Sequence, residues 1–316
     1  MLMPTTTAPQ SATPTPAYPK TTYHRATVGG VGVFYRAAGN PQNPAIVLLH
    51  GFPSSSHMFR ELIPALAGDY YVIAPDYPGF GASDAPAPTE FAYTFDHLAD
   101  VVESLLEQIG VRRFALYLHD YGGPVGFRLA TRHPERITAL ILQNANAYLE
   151  GLNLPAFAAL PPFWAGRTAA TEAPVRAWLT PETTQFQYFQ GAHDPAAISP
   201  DGWRHDQAGL DRAGNDLVQL ALLHDYQHNP PLYPVWQAYF RRHQPPALIT
   251  WGRHDPFFTE AGARAFPTDL PQAELHLLET GHFALEEAGP VIAAWIREFL
   301  PRAAGVRTTS PTASNP

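Results

Sequence analysis

The segment Leu116-Tyr117-Leu118-His119-Asp120-Tyr121-Gly122-Gly123 puts an acid at the end of an apolar, strand-like run, Arg113 to Leu118, and just ahead of a helix-like stretch, Pro124 to His133. A side chain on such a strand–turn–helix corner stands clear of both elements and can act as a nucleophile; serine is the commoner residue there. A serine hydroxyl must lose a proton and attacks acyl carbon. The Asp120 carboxylate is already ionised and suits attack on alkyl carbon, which leaves an alkyl ester on the protein. Two further segments could complete the chemistry. His282, in Thr280-Gly281-His282-Phe283, could take a proton from water. Asp255, in Trp251-Gly252-Arg253-His254-Asp255-Pro256, could orient that histidine and stabilise its charged form. Taken singly, each has a plainer reading. Asp120 could cap a helix, His282 could be a buried structural histidine, and Asp255 could start a turn. Their occurrence together, each after a predicted strand and in the order nucleophile, acid, histidine, favours catalysis.

The elements that must position these residues are legible in the hydrophobic pattern. Val31 to Tyr35, Ala45 to His50, Tyr70 to Ala74, Ile137 to Gln143, Ala247 to Trp251 and Glu274 to Leu278 read as strands. Thr94 to Ile109 reads as a helix, with Leu98, Val101, Val102, Leu105, Leu106 and Ile109 on one face, Thr94 as N-cap and Gly110 as terminator. A last amphipathic helix is expected from about Ala288 to Leu300, through Ile292, Trp295, Ile296 and Phe299. From Tyr148 to about Arg242 the pattern changes to short helical pieces rich in Pro, Trp, Tyr and Gln, with Ser199-Pro200 as a helix start. Strands alternating with helices predict an α/β fold with a mostly parallel sheet covered on both faces. The expected organisation is a core of residues 21–147 and 243–301, a helical cap of residues 148–242 over one sheet edge, a disordered leader, 1–20, and a disordered tail, 302–316.

Composition narrows the function. The chain has 316 residues, 45% of them hydrophobic and 15% charged, enough apolar material for a large core. Its formal charge of −8 argues against a nucleic-acid partner. No apolar run reaches the length of a membrane span, so no membrane partner is expected. The absence of cysteine excludes a thiol nucleophile and is compatible with a reducing compartment, so a cytoplasmic protein is expected. Among the 14 histidines His224 and His228 have His-x-x-x-His spacing around Asp225, without the Glu-x-x-His pattern of a zinc protease, and no metal is expected. No organic cofactor is needed either.

Five segments carry a family resemblance: His50-Gly51-Phe52-Pro53, the loop Asp76 to Ser83, the corner at Asp120, and the segments holding Asp255 and His282. Together, over roughly Thr21 to Pro301, the chain resembles an α/β-hydrolase of the branch holding epoxide hydrolases and haloalkane dehalogenases. The resemblance implies an α/β-hydrolase fold and an oxyanion hole made by the backbone N–H groups of Phe52 and Tyr121, with a cis Phe52–Pro53 bond aiming the first of them. It also implies tyrosines in the cap that hydrogen-bond an epoxide oxygen. Asp225-Tyr226-Gln227-His228-Asn229 resembles the later tyrosine motif and makes Tyr226 a candidate. Phe186-Gln187-Tyr188-Phe189-Gln190 resembles the earlier one; its tyrosine position falls at Gln185, with Tyr188 beside it. Asn144, after a strand, and Trp164, among the cap aromatics, are further pocket candidates. The sequence departs from the family at Leu118, where a small residue is usual. It departs again at Tyr121, where dehalogenases place a halide-binding Trp, and at Phe52, where they commonly have Asn or Glu. Gly122 and Gly123 stand where halocarboxylate enzymes offer arginines.

The expected activity is hydrolysis of a small apolar substrate by water through an Asp120 alkyl ester, with epoxides first and haloalkanes second. An esterase or lactonase using Asp120 as a base for water, and a non-catalytic ligand-binding protein of this fold, remain as alternatives. A monomer or homodimer is expected.

Overall fold

A computed structural model describes Lys20–Gly305, so the expected leader and tail lie almost wholly outside the described residues. Where the tail does fall inside, it is helical. The last helix runs Leu285–Gly305, straight through Pro301, which removes one backbone donor without ending the helix. Burial of Ala303 and a 2.9 Å pair between Arg302 and Glu274 hold the extension against the core.

Eight strands form one sheet in the order β1-β2-β4-β3-β5-β6-β7-β8. They are β1 (Thr22–Val28), β2 (Val31–Ala38), β3 (Ala45–Leu49), β4 (Tyr71–Pro75), β5 (Phe114–His119), β6 (Ile137–Gln143), β7 (Ala247–Gly252) and β8 (Glu274–Leu278). β2 pairs antiparallel with β1 and β4; every other pairing is parallel. β5 and β7 are buried at every residue, as parallel strands covered on both faces must be.

The helices between and after the strands are α1 (Leu62–Leu66), α2 (Phe95–Gln108), α3 (Gly122–Arg132), α10 (Glu260–Asp269) and α11 (Leu285–Gly305). Thr94 caps α2 by accepting the His97 N–H at 3.1 Å, and the predicted face of α2 is buried from Leu98 to Leu106. Burying each such side chain contributes about 1.5–3 kcal/mol. One face of the sheet packs Leu62, Ile63 and Leu66 of α1 with Ile292, Ile296 and Phe299 of α11. The other packs α2, α3 and α10 around Phe95, Phe127 and Phe266.

Between β6 and β7 the chain makes six helices: α4 (Leu160–Ala165), α5 (Ala169–Arg176), α6 (Pro181–Phe189), α7 (Pro200–Leu210), α8 (Asn215–Asp225) and α9 (Tyr233–His243). Ser199 starts α7 as predicted, accepting the Asp201 N–H. α9 lies in the layer beside the sheet, with Trp236 and Phe240 against Phe127 of α3 and Phe240 against Phe266 of α10.

Candidate active site

Asp120 ends β5 and occupies the left-handed region at φ 48°, a conformation that costs a non-glycine residue about 1–3 kcal/mol. The surrounding chain leaves room for it. A Cβ on Gly51 would lie 2.2 Å from Asp120 Oδ1, so only glycine lets the β3 loop approach the carboxylate. Gly126, one turn into α3, accommodates the departure at Leu118: a Cβ there would lie 2.2 Å from Leu118 Cδ2. The bulk that the family usually excludes before the nucleophile is thus taken up across the helix.

The Phe52 N–H donates to Asp120 Oδ1 at 2.6 Å, and the Tyr121 amide also holds the carboxylate. The Phe52–Pro53 bond is cis, as the resemblance implies. His282 Nε2 faces the other oxygen, Oδ2, at 4.0 Å. Its Nδ1 lies 2.7 Å from Asp255 Oδ2. An ionised carboxylate only accepts, so Nδ1 carries a proton and Nε2 is the atom turned toward Asp120. Asp255 Oδ1 accepts the N–H groups of Phe257 and Phe258, which fixes the acid's orientation.

Burial governs the charges. It raises the Asp120 pKa from 3.8 to about 6, although His282 and the two backbone amides pull the other way. His282 is also fully buried, which opposes its charge; Asp255 first, then Asp120, outweigh that and raise its pKa. Burial thus brings the Asp120 carboxyl closer to neutral pH, and the two carboxylates favour the charged form of His282.

Asp120 and His282 sit in the wall of a cavity of about 480 Å³ with Phe52, Tyr121, Phe157, Phe257, Phe258 and Tyr226 among its lining. The lining is chiefly apolar, which strengthens electrostatic interactions inside. Tyr226 follows α8, and burial raises the pKa of its hydroxyl. Of the aromatics in the insertion, Trp178 and Phe186 also reach the cavity.

Four expected pocket residues are placed elsewhere. Tyr188 is buried between helices, its hydroxyl donating to Asp206 at 2.6 Å and its ring stacked on Phe283. Gln185 is off the cavity because α6 turns residues 183, 186 and 187 toward it instead. Trp164 uses its indole N–H on the Leu223 carbonyl at 2.9 Å. Asn144 lies behind the site. Its Nδ2 donates to Asp255 Oδ2 at 2.7 Å and to the Gly252 carbonyl at 3.1 Å, while its Oδ1 accepts the Gly252 N–H at 2.9 Å. His50 accepts the Tyr77 N–H and is held neutral by burial, its pKa lowered to about 4. Gln187, Phe257 and Phe258 also line the cavity; the only sequence signal for them is that the two phenylalanines directly follow Asp255-Pro256.

Known proteins are consistent with this geometry. Residues 44–289 match the model of the alpha/beta hydrolase fold family. An uncharacterized hydrolase of Saccharomyces cerevisiae is 41% identical over 84% of this chain and 92% of its own length. A haloalkane dehalogenase of Mycobacterium marinum is 30% identical over 82% of this chain and 85% of its own. Among solved structures, the ligand-free epoxide hydrolase CorEH superposes with a TM-score of 0.72 at 22% identity, covering 90% of this chain and 99% of that one. That last likeness concerns the fold. With the matched span and these relatives, the chain is a hydrolase of the α/β-hydrolase fold family, in the branch that holds the epoxide hydrolases and haloalkane dehalogenases.

Proposed function

We propose that the protein hydrolyses small apolar epoxides through a covalent Asp120 ester, with the helical insertion between β6 and β7 as the cap over the substrate. The observation that carries this reading is the unequal treatment of the two Asp120 oxygens. Oδ1 is held by the Phe52 amide at 2.6 Å, whereas Oδ2 is turned toward His282 and the cavity. Oδ2 attacks a ring carbon from behind, the C–O bond breaks, and the ring oxygen takes a proton from Tyr226 as it becomes a hydroxyl. Oδ1 becomes the ester carbonyl oxygen, already beside the Phe52 amide that will help stabilise its negative charge. His282 Nε2 then removes a proton from water, and the hydroxide attacks the ester carbon. The tetrahedral oxyanion rests on the Phe52 and Tyr121 amides, a contribution of about 3–4 kcal/mol per donor in comparable sites. Collapse releases the diol, whose alkoxide takes the proton from His282, and the carboxyl group regenerated on Asp120 returns its water-derived proton to the Tyr226 phenolate.

Haloalkane hydrolysis needs the same nucleophile and histidine but a donor for halide in place of an acid for oxygen. Tyr121 stands beside the nucleophile, and its buried hydroxyl has no hydrogen-bond partner among the described residues. That favours haloalkanes as the second reading. The two separate on a panel of a terminal alkyl epoxide, styrene oxide and a bromoalkane, assayed for diol and bromide beside Tyr226→Phe and Asp120→Asn. The epoxide reading expects diol, a fall of about ten-fold or more in Tyr226→Phe, and none in Asp120→Asn. Bromide without diol would replace it with the second reading. Diol formation undiminished in Asp120→Asn would overturn both.

A further inference from the structure

The polar groups around the cavity are mostly engaged elsewhere. Asn153 donates its amide to the Pro256 carbonyl at 2.6 Å. The Thr183 hydroxyl donates to the Ala177 carbonyl at 2.7 Å. Beside the Tyr121 hydroxyl, unpartnered among the described residues, Gln187 is the exception. It is buried to 3% exposure, it lines the cavity, and its carboxamide takes no hydrogen bond among the described residues. An amide on a cavity wall with no protein partner is open to a ligand's oxygen.

The helix that carries Gln187 is held rigidly. Thr184 donates to Gln207 at 2.7 Å and Tyr188 to Asp206 at 2.6 Å, so one face of α6 is fastened to α7. Thr183 and Gln187, one turn apart, then both reach the cavity. The amide is thus presented on a fixed element to an otherwise apolar space, the arrangement by which a site fixes a ligand's orientation.

We propose that Gln187 is a substrate-binding residue that donates its amide N–H to an oxygen of the substrate, and that it makes this cavity select oxygen-bearing molecules over plain hydrocarbons. This rests on the epoxide reading of the same cavity. The oxygen is either that of the opening ring or that of a substituent further along the chain.

The test separates binding from chemistry. Trp178 also lines the cavity, so its fluorescence reports ligand entry. The wild type, Gln187→Met and Gln187→Leu are titrated with unreactive 1,2-hexanediol and with toluene. The expected result is about ten-fold weaker diol binding in both variants, the loss of one hydrogen bond, with toluene unchanged. Diol binding that is unchanged or tighter in both variants overturns the proposal, whether or not any ester forms on Asp120. The oxygen concerned is then found from ester formation in a His282→Gln background, with 1,2-epoxyhexane and with 5,6-epoxyhexan-1-ol. Slowing with both substrates assigns the ring oxygen, and slowing with the hydroxylated one alone assigns the substituent. Absence of any ester with Gln187 intact would count against the Asp120 reading, while the diol titration still decides the role of Gln187.

Discussion

Replacing Asn144 with glycine should loosen the support behind His282 without touching the cavity. Asn144 makes three buried hydrogen bonds, two to Gly252 and one to the same Asp255 oxygen that accepts from His282. Leaving the Gly252 groups unpaired costs about 1–3 kcal/mol, and losing a donor to a carboxylate about 1.5–3 kcal/mol. A net loss of about 3 kcal/mol lowers Tm by about 6–12 °C for a domain of this size. Asn144 sits at φ 46°, a conformation glycine adopts freely and alanine does not, so Asn144→Ala should lose about 1 kcal/mol more. The chemical consequence is common to both variants. With Asn144 gone, Asp255 Oδ2 acts on His282 alone, and His282 keeps its proton to higher pH. The acid limb of ester hydrolysis should therefore move up by about one pH unit, since each unit corresponds to about 1.4 kcal/mol. The assay is single-turnover decay of the Asp120 ester across pH, with thermal melts alongside. An unmoved or downward-shifted limb in a folded Asn144→Gly protein would refute the coupling through Asp255. Equal stability of the glycine and alanine variants would refute the backbone argument.

Other consequences are direct. Burial raises the Asp120 pKa from 3.8 to about 6, so its ionised form opposes folding at neutral pH and that penalty fades as pH falls through 6. Asp120→Asn should accordingly melt higher than wild type at pH 7–8, by on the order of 2–3 kcal/mol, with the gain shrinking toward pH 5; a constant gain across that range would count against the charge explanation. The same titration makes ester formation fall as pH drops through about 6, which rapid-quench measurement of the ester would record. Gly126→Ala should destabilise by about 1–3 kcal/mol through Leu118, and Leu118→Ala in the same chain should recover part of it. Simple additivity of those two changes in denaturant unfolding would contradict the contact.

The residues that act together were legible because each stands at a strand end, where the sheet fixes its place. Asp120, Asp255 and His282 follow β5, β7 and β8, and their motifs are read without knowing any helix phase. The cavity wall was not legible for the opposite reason. The insertion helices are short and weakly amphipathic, so a one-residue error in phase moves a side chain from cavity to interior. Tyr188 and Gln187 are neighbours in sequence; one is fastened to Asp206 and the other faces the substrate space. β1 escaped notice because it is largely exposed and lacks an apolar stripe, although Gly29-Gly30 between β-rich flanks is a hairpin signal. Nothing local in the sequence reveals that Asn144 bridges β7 and Asp255 and does not line the pocket.

The central claim is that water attacks Asp120, not the substrate. A single turnover in ¹⁸O-water with enzyme in excess over 1,2-epoxyhexane tests it most directly. The account predicts an unlabelled diol and an Asp120-containing peptide heavier by one ¹⁸O-for-¹⁶O exchange. Label in the first-turnover diol with an unlabelled Asp120 would mean that water attacks the epoxide itself, and the covalent mechanism would be wrong.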